Sequence, residues 1–245
     1  MASYRRRDPA LSSPRLNRHY EGNSAMNLNF SIVWANLPAL WEGVQITLVS
    51  FVIALVIGLP LGVALCGMRL RKTGFLAGTA RVYVTVFRSI PEMVLIFWMF
   101  YCLPPLLGFR VSGLFSGSLA LGLVTGAYLC EIFRGGVQSV AKGQWEAARA
   151  LALPRSATWL RVIAPQAARL AIPPFVNFMT ELLKGTTLLA TIGVADLALK
   201  SYVLGAQTFR YFEFLTAIAI AYFIIIFPIA RFAEHIERRL AKAAG

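Results

Sequence analysis

The sequence is short of the residues on which soluble enzymes rely. Of 245 residues only two are histidine and three are cysteine, and 11 acidic residues face 24 basic ones. Charged residues make up 14% of the chain, where soluble domains carry about 25%. Cys66, Cys102 and Cys130 lie in apolar surroundings without metal-ligand spacing, which argues against a disulfide framework or zinc site and predicts ordinary packing. His19 and His235 sit in charged terminal stretches and are expected at the surface. No Gly-Lys pair occurs, so the chain has no Walker A phosphate loop. Neither GxSxG nor HExxH is found, and no histidine falls in an apolar run, which leaves a membrane-embedded enzyme without a visible catalytic constellation.

What is present is apolar, at 58% of all residues. Residues 46–65 and 93–109 carry no charge, and 215–230 are almost wholly aliphatic and aromatic. A membrane-crossing helix needs about 20 mainly apolar residues. Alternating segments of about ten residues, the mark of an outer-membrane barrel, are missing. The pattern predicts an all-α membrane protein with five crossings, at about 42–68, 82–107, 118–137, 170–192 and 212–232. The "LPPLLG" stretch, with Pro104, Pro105 and Gly108, is the turn expected to close the second.

A net charge of +13 could suit nucleic acid, but the basic residues cluster at the ends of apolar runs, as the positive-inside rule describes. Arg69, Arg71, Lys72, Arg81 and Arg88 flank the first connection. Arg134, Lys142, Arg149, Arg155, Arg161 and Arg169 lie between crossings three and four, and Arg231, Arg238, Arg239 and Lys242 follow the fifth. The opposite side holds Arg110, Lys200 and Arg210. The C-terminus is therefore expected in the cytoplasm and the N-terminus outside. The first 25 residues, with five arginines, fit this poorly. They lack the apolar core of a signal peptide. Two accounts are open: a disordered basic tail translocated at some cost, or translation beginning at Met26. Residues 26–41, aromatic and broken by Pro38, read as an interfacial lead-in at the outer headgroups.

Between crossings three and four stands a charged, helix-prone hairpin, residues 143–165. Ala147, Ala148, Ala150 and Ala152 favour a helix over 144–152, Pro154 ends it, and a second helical run covers 156–162 before Pro165 separates it from the fourth crossing. Small alanines allow close approach by another surface, and Glu146 with the arginines offers directional polar contacts. A docking knob and a solvated loop helix are both compatible with this composition.

Here the chain resembles a known family. "EAARALALPRSATWLRVIAP" is similar to the EAA loop of ABC importer permeases, with Glu146, Ala147, Ala148, Ala152, Val162 and Pro165 in the motif positions. Ala152 stands where glycine is usual, suggesting a turn that tolerates a β-carbon, and Ala164 where leucine is usual. "FRSIPEMVLIFWMFY", "GAYLCEIFRGGVQSVAKGQWEAARAL" and "PQAARLAIPPFVNFMTELLKGTTLLATIG" extend the likeness, over residues 40–240, to permeases for polar amino acids of the histidine/glutamine type. The resemblance implies a type I importer transmembrane domain over residues 42–240 in a bacterial inner membrane. It further implies a second permease subunit, identical or homologous, a periplasmic solute-binding protein, and an ATPase dimer that binds ATP and magnesium and receives the hairpin. This chain itself would then hold no cofactor.

Ionisable residues inside crossings are functional candidates by default. Asn177, Thr180, Glu181, Lys184 and Thr187 recur at three- and four-residue spacing on one helix face, with Glu181 and Lys184 able to pair. This stripe reads either as a path for a zwitterionic solute or as a structural bridge to a sister subunit. Pro173 and Pro174 are expected to kink or break that helix. "SIPE" predicts a capping box, with a helix restarting at Ser89 and Glu92 reaching back. Arg88 just before it either faces the solute path, as Glu92 would, or snorkels to the interface. Glu131 and Arg134 are expected to form a structural i,i+3 pair. Asp196 and Lys200 are expected to face outside, where a solute-delivering protein could dock. A channel or structural subunit without ATP coupling is the alternative function.

Overall fold

The computed structural model describes residues 28–71, 73–108 and 111–244. The basic tail 1–25, Lys72 and Arg110 lie outside the described residues. Those described form helices and connections, without a strand among them.

After a short α1 (Ser31–Ala35), α2 (Leu37–Arg69) runs unbroken through Pro60. Pro38 falls in the first turn of α2, where a missing N–H has no partner to lose. It therefore starts the first long helix instead of breaking a lead-in, and residues 37–41 join the crossing. The second crossing is not one helix. α3 (Phe75–Ser89) and α4 (Glu92–Phe97) meet at 102°. Ile90 precedes a proline, and the clash with the ring holds it extended at φ −81°, ψ 130°. The restart accordingly falls at Glu92 with Pro91 as its N-cap. No side-chain bond closes the cap, so the expected capping box is not formed. A π-helical turn, Trp98–Cys102, leads into α5 (Leu103–Leu107), which stops at Gly108 in the left-handed region, φ 74°.

α6 (Gly113–Gln138) lies against α2 in parallel along a seam of small residues. A Cβ on Gly58 would come within 2.4 Å of Thr125, one on Gly62 within 2.6 Å of Leu129, and one on Gly126 within 2.7 Å of Leu61. Close backbone approach of this kind is how helices associate in lipid, where no hydrophobic force drives them together. Leu95, Ile96, Met99, Leu121, Leu129 and Leu182 form the main core around α6.

The hairpin follows as α7 (Lys142–Ala150), α8 (Arg155–Ala157) and a π-helical stretch Thr158–Ile163, which continues directly into α9 (Ala164–Gly185). Pro165 thus lies in the first turn of α9 and does not separate hairpin from crossing. The widened turn before it absorbs the missing N–H. Pro173 and Pro174 also fail to break α9, which is helical from end to end. The regular helix gives way only later, to a 3₁₀ stretch Thr186–Ile192 ending at Gly193 with φ 79°. α9 runs antiparallel to α6: Gly136 abuts Ala167 and Ala171, while Gly117 abuts Leu189.

α10 (Leu197–Thr208) is bent 50° from that crossing, and α11 (Tyr211–Ala244) completes the chain as one helix through Pro228, longer than expected. Three helices are long and apolar enough to cross a membrane, and the two bent pairs bring the crossings to five if each pair is one. Cys66 and Cys130 are buried as expected, Cys102 is exposed, and His235 is exposed.

Candidate functional site

Among the places where polar and charged groups gather, three bear on the expected site residues: the hairpin, the exposed side of α9, and a chamber where α2, α3 and α6 meet.

The hairpin is held from inside. Trp145 meets Trp159 edge to face with ring centroids 5.4 Å apart, and Gln166 Nε2 donates to Gln144 Oε1 at 3.2 Å. Val140, Ile163 and Ala167 bury a small core beneath it, and Ala148 is only 3% exposed. α7 ends in a Schellman turn. The Leu153 N–H donates to the Ala148 carbonyl at 3.1 Å and the Ala152 N–H to that of Arg149 at 2.9 Å. This turn needs a left-handed residue, and Ala152 takes φ 51°. The β-carbon expected to be tolerated is accommodated, in a conformation that favours glycine. Outward the hairpin shows Glu146, Ala147, Arg149, Arg155 and Arg161, with Leu151 73% and Leu160 74% exposed. With the exposed Ala147 beside them, these residues give the hairpin an apolar outer face ringed by charge.

On α9, Asn177, Glu181 and Lys184 are exposed, and Lys184 donates to Glu181 Oε1 at 2.9 Å. Thr180 is buried, its hydroxyl donating to the Asn177 carbonyl at 2.8 Å. Thr187 is half-buried and bonds the Lys184 carbonyl at 2.7 Å. The open stripe therefore consists of Asn177, Glu181 and Lys184, with the two threonines turned to backbone. Lys184 and Thr187 also edge an otherwise apolar cleft of about 540 Å³ against α11. Glu92 reaches the same helix, its Oε2 only 3.4 Å from where a Cβ on Gly185 would stand.

The chamber is a groove open on one side, with a volume of about 420 Å³, lined by Arg69, Tyr128 and Glu131 and by the exposed Thr85, Arg88 and Ser89. Glu131 pairs with Arg69 through Oε1, while Oε2 accepts from Arg134 at 2.5 Å and 3.1 Å. Arg134 also donates to Gln138 at 2.7 Å. The expected Glu131–Arg134 pair is thus one half of a triad whose other half, Arg69, comes from α2. Arg88 lies over the Tyr128 ring, 5.1 Å from its centroid, and Tyr128 stacks on Phe178 of α9, also at 5.1 Å. Tyr128 went unnoticed in the sequence, although it stands three residues before Glu131 on the same face of α6.

Asp196 corrects an expectation. It is fully buried and caps α10 by accepting from the Leu199 N–H at 2.9 Å, so it offers nothing to a docking protein. Lys200 is engaged with Glu42 of α2 at 3.0 Å. Among the described residues no group of three or more His, Cys, Asp or Glu could hold a metal.

Up to five crossings packed about α6, itself one of them, with a charged hairpin between the third and fourth, are the architecture of a helical membrane transport subunit, and its relatives give its class. Residues 54–242 match the family described as binding-protein-dependent transport system inner membrane component, and the chain belongs to that family. It is 33% identical to the arginine transport system permease protein ArtQ of Bacillus subtilis over 88% of this chain and 98% of that one. To the probable glutamine ABC transporter permease protein GlnM of the same organism it is 34% identical, over 88% of this chain and all of the relative. Among solved structures it superposes on an amino acid ABC transporter crystallised with histidines, with a TM-score of 0.81 and 29% identity over 87% of this chain and all of that one. The fold also matches the MetNI methionine ABC transporter, TM-score 0.64 at 22% identity over 85% of this chain and 99% of that one. The chain is an inner-membrane transport component, not an enzyme, and hydrolysis belongs to a separate subunit.

Proposed function

We propose that this permease imports polar amino acids by alternating access, driven through its hairpin by a separate ATPase dimer that binds ATP and magnesium. The observation that carries the coupling is the hairpin itself, anchored from beneath by Trp145, Trp159 and Ala148 yet baring Leu151, Leu160 and Glu146. Glu146, Ala147, Ala148, Ala152 and Pro165 form the coupling segment, with Ala147 facing the ATPase and Ala148 seating α7 on its own support. The arginine-rich end of the bundle lies in the cytoplasm and the N-terminus outside, following the distribution of basic residues. A second permease subunit, identical or homologous, completes the pathway in the lipid bilayer, and a periplasmic protein delivers solute.

Asn177, Glu181 and Lys184 present a carboxylate, an ammonium and an amide to that pathway, and Arg88 and Glu92 belong to the same route, a set suited to a zwitterionic solute. Thr180 and Thr187 hold the backbone behind them. The arginine and glutamine permeases among its relatives support a polar amino acid as cargo. The domain thus driven occupies residues 42–240 with the hairpin at 143–165.

The test is reconstitution of the chain with a cognate ATPase, sister permease and binding protein. Hydrolysis should rise when solute-loaded binding protein is added. An assembled complex showing no stimulation, and no uptake of any polar amino acid, would refute this reading.

A further inference from the structure

We propose that the chamber between α2, α3 and α6 is a carboxylate-binding subsite, in which Arg88 takes the α-carboxylate of the solute before release. For the identity of that solute the inference rests on the proposed amino acid import, whereas the chemistry of the chamber stands on its own groups.

Three arginines and one carboxylate meet here: Arg69, Arg88, Arg134 and Glu131. Glu131 is saturated, because Arg69 occupies one oxygen and Arg134 the other. Glu131 lies across the groove from Arg88 and acts on it electrostatically, but three arginines facing one carboxylate leave the group with an excess of positive charge. Among the described residues Arg88 forms no ion pair within 4.0 Å, and its guanidinium rests on the face of Tyr128. An arginine over an aromatic face keeps its N–H edge available, since the ring engages the plane of the guanidinium and leaves the fork to pair with a planar anion. Thr85 and Ser89, three residues before Arg88 and one after it, add exposed hydroxyls to the same wall.

The space suits a small molecule. Sites for small ligands occupy about 300–1,000 Å³, and the chamber falls inside that range at 420 Å³. A second space of about 370 Å³ shares Arg88, Tyr128 and Glu131 with it and extends past Gly135 and Gly136 to Leu170 and Pro174 of α9. Arg88 thus stands at the junction of two spaces, one polar and one bordered by the helix that carries the hairpin. The Tyr128–Phe178 stack ties the support of Arg88 to α9, so movement of α9 alters how the guanidinium is presented. Arg69 and Arg134 are positioning residues: they hold both oxygens of Glu131, so no oxygen of that carboxylate closes on the Arg88 guanidinium as an ion pair.

Chemical protection tests this without a substitution that could disturb folding. The complete complex, with ATPase and sister permease, is embedded in phosphatidylcholine nanodiscs and treated with phenylglyoxal, and the Arg88 peptide is followed by mass spectrometry. L-Glutamine or L-arginine is expected to slow labelling of Arg88 about fivefold, the shielding expected of a charge-assisted bidentate contact, while their α-amides do not. The peptide bearing Arg169, exposed and outside the chamber, serves as the internal reference. If no carboxylate slows the reaction, propionate included, the proposal is overturned. Slowing by propionate but by neither amino acid would keep the subsite and remove the amino acid reading. Slowing by inorganic phosphate, or by phosphatidylglycerol in the nanodisc, beyond that by any carboxylate would assign the chamber to phosphate groups and overturn the proposal.

Discussion

Arg69 and Glu131, 62 residues apart in the chain, close the ends of two parallel helices with an ion pair beside the chamber. With Arg134 completing the triad, the charged groups are about four-fifths buried, so the loss of the carboxylate is felt more than at a surface bridge. Glu131→Gln leaves Arg69 with a neutral acceptor and is expected to cost on the order of 2 kcal/mol. Thermal unfolding of the purified complex should show a lowered midpoint; an unchanged midpoint would mean the triad is screened by water.

The Schellman turn at Ala152 predicts a stabilising change. Ala152→Gly relieves a left-handed alanine and should slow exchange of the Leu153 and Ala152 amides, with a gain of about 0.5–1 kcal/mol. Ala152→Val, β-branched at the same φ, should open the turn and speed exchange there. Equal exchange in all three proteins would contradict the geometry.

The seam between α2 and α6 predicts a sharp positional contrast. A side chain on Gly62 meets Leu129 at 2.6 Å, whereas Gly67, on the same helix, has open space around it. Gly62→Val should overpack the seam at a cost of about 1–3 kcal/mol and reduce the yield of folded protein. Gly67→Ala should be neutral or gain up to about 1 kcal/mol from helix propensity. Similar yields for the two variants would rule out the close approach.

The hairpin surface can be probed without touching its support. Leu151→Asp places a charge on an exposed residue and should leave the fold intact while weakening capture of the ATPase by at least about tenfold, as for an anchor at an interface centre. Glu146→Lys should uncouple hydrolysis from uptake or prevent assembly. Normal assembly and coupled transport in both variants would displace the docking surface from this face.

Glu181 and Lys184 supply the last prediction. Their bridge is more than half exposed, so Glu181→Gln should change stability by less than about 1 kcal/mol. Uptake assays across neutral, basic and acidic amino acids should nevertheless show an altered solute profile. An unchanged profile would reduce the pair to a structural bridge.

Long apolar runs made the crossings legible, and the hairpin stood out because its charge and alanine content differ from its surroundings. Prolines misled in both directions. Pro38 and Pro165 fall in first turns, and Pro173–Pro174 lie inside a helix that neighbours hold together, so none interrupts. Pro91, read as part of a capping box, instead holds Ile90 extended at a 102° turn. The triad and the chamber depend on Arg69 meeting Glu131 across two helices, a juxtaposition that no local spacing encodes. The seam was within reach: "GLPLG" and "GLVTG" each carry glycines four apart, the pattern that lets helices touch in lipid. Asp196 was misjudged because a buried helix cap and an exposed acid look alike in a sequence.

The continuity of α9 has a mechanical consequence. From Ala164 to Gly185 it is a rod of about 33 Å, with its three prolines taken up inside the helix and a π-helical stretch joining it to the hairpin. A displacement of the hairpin finds no slack joint along that length. Its first change of helix type is the 3₁₀ stretch after Gly185, next to Lys184 and opposite Glu92, so a shove applied at one end of the bundle is spent at the other, beside the Glu181–Lys184 pair.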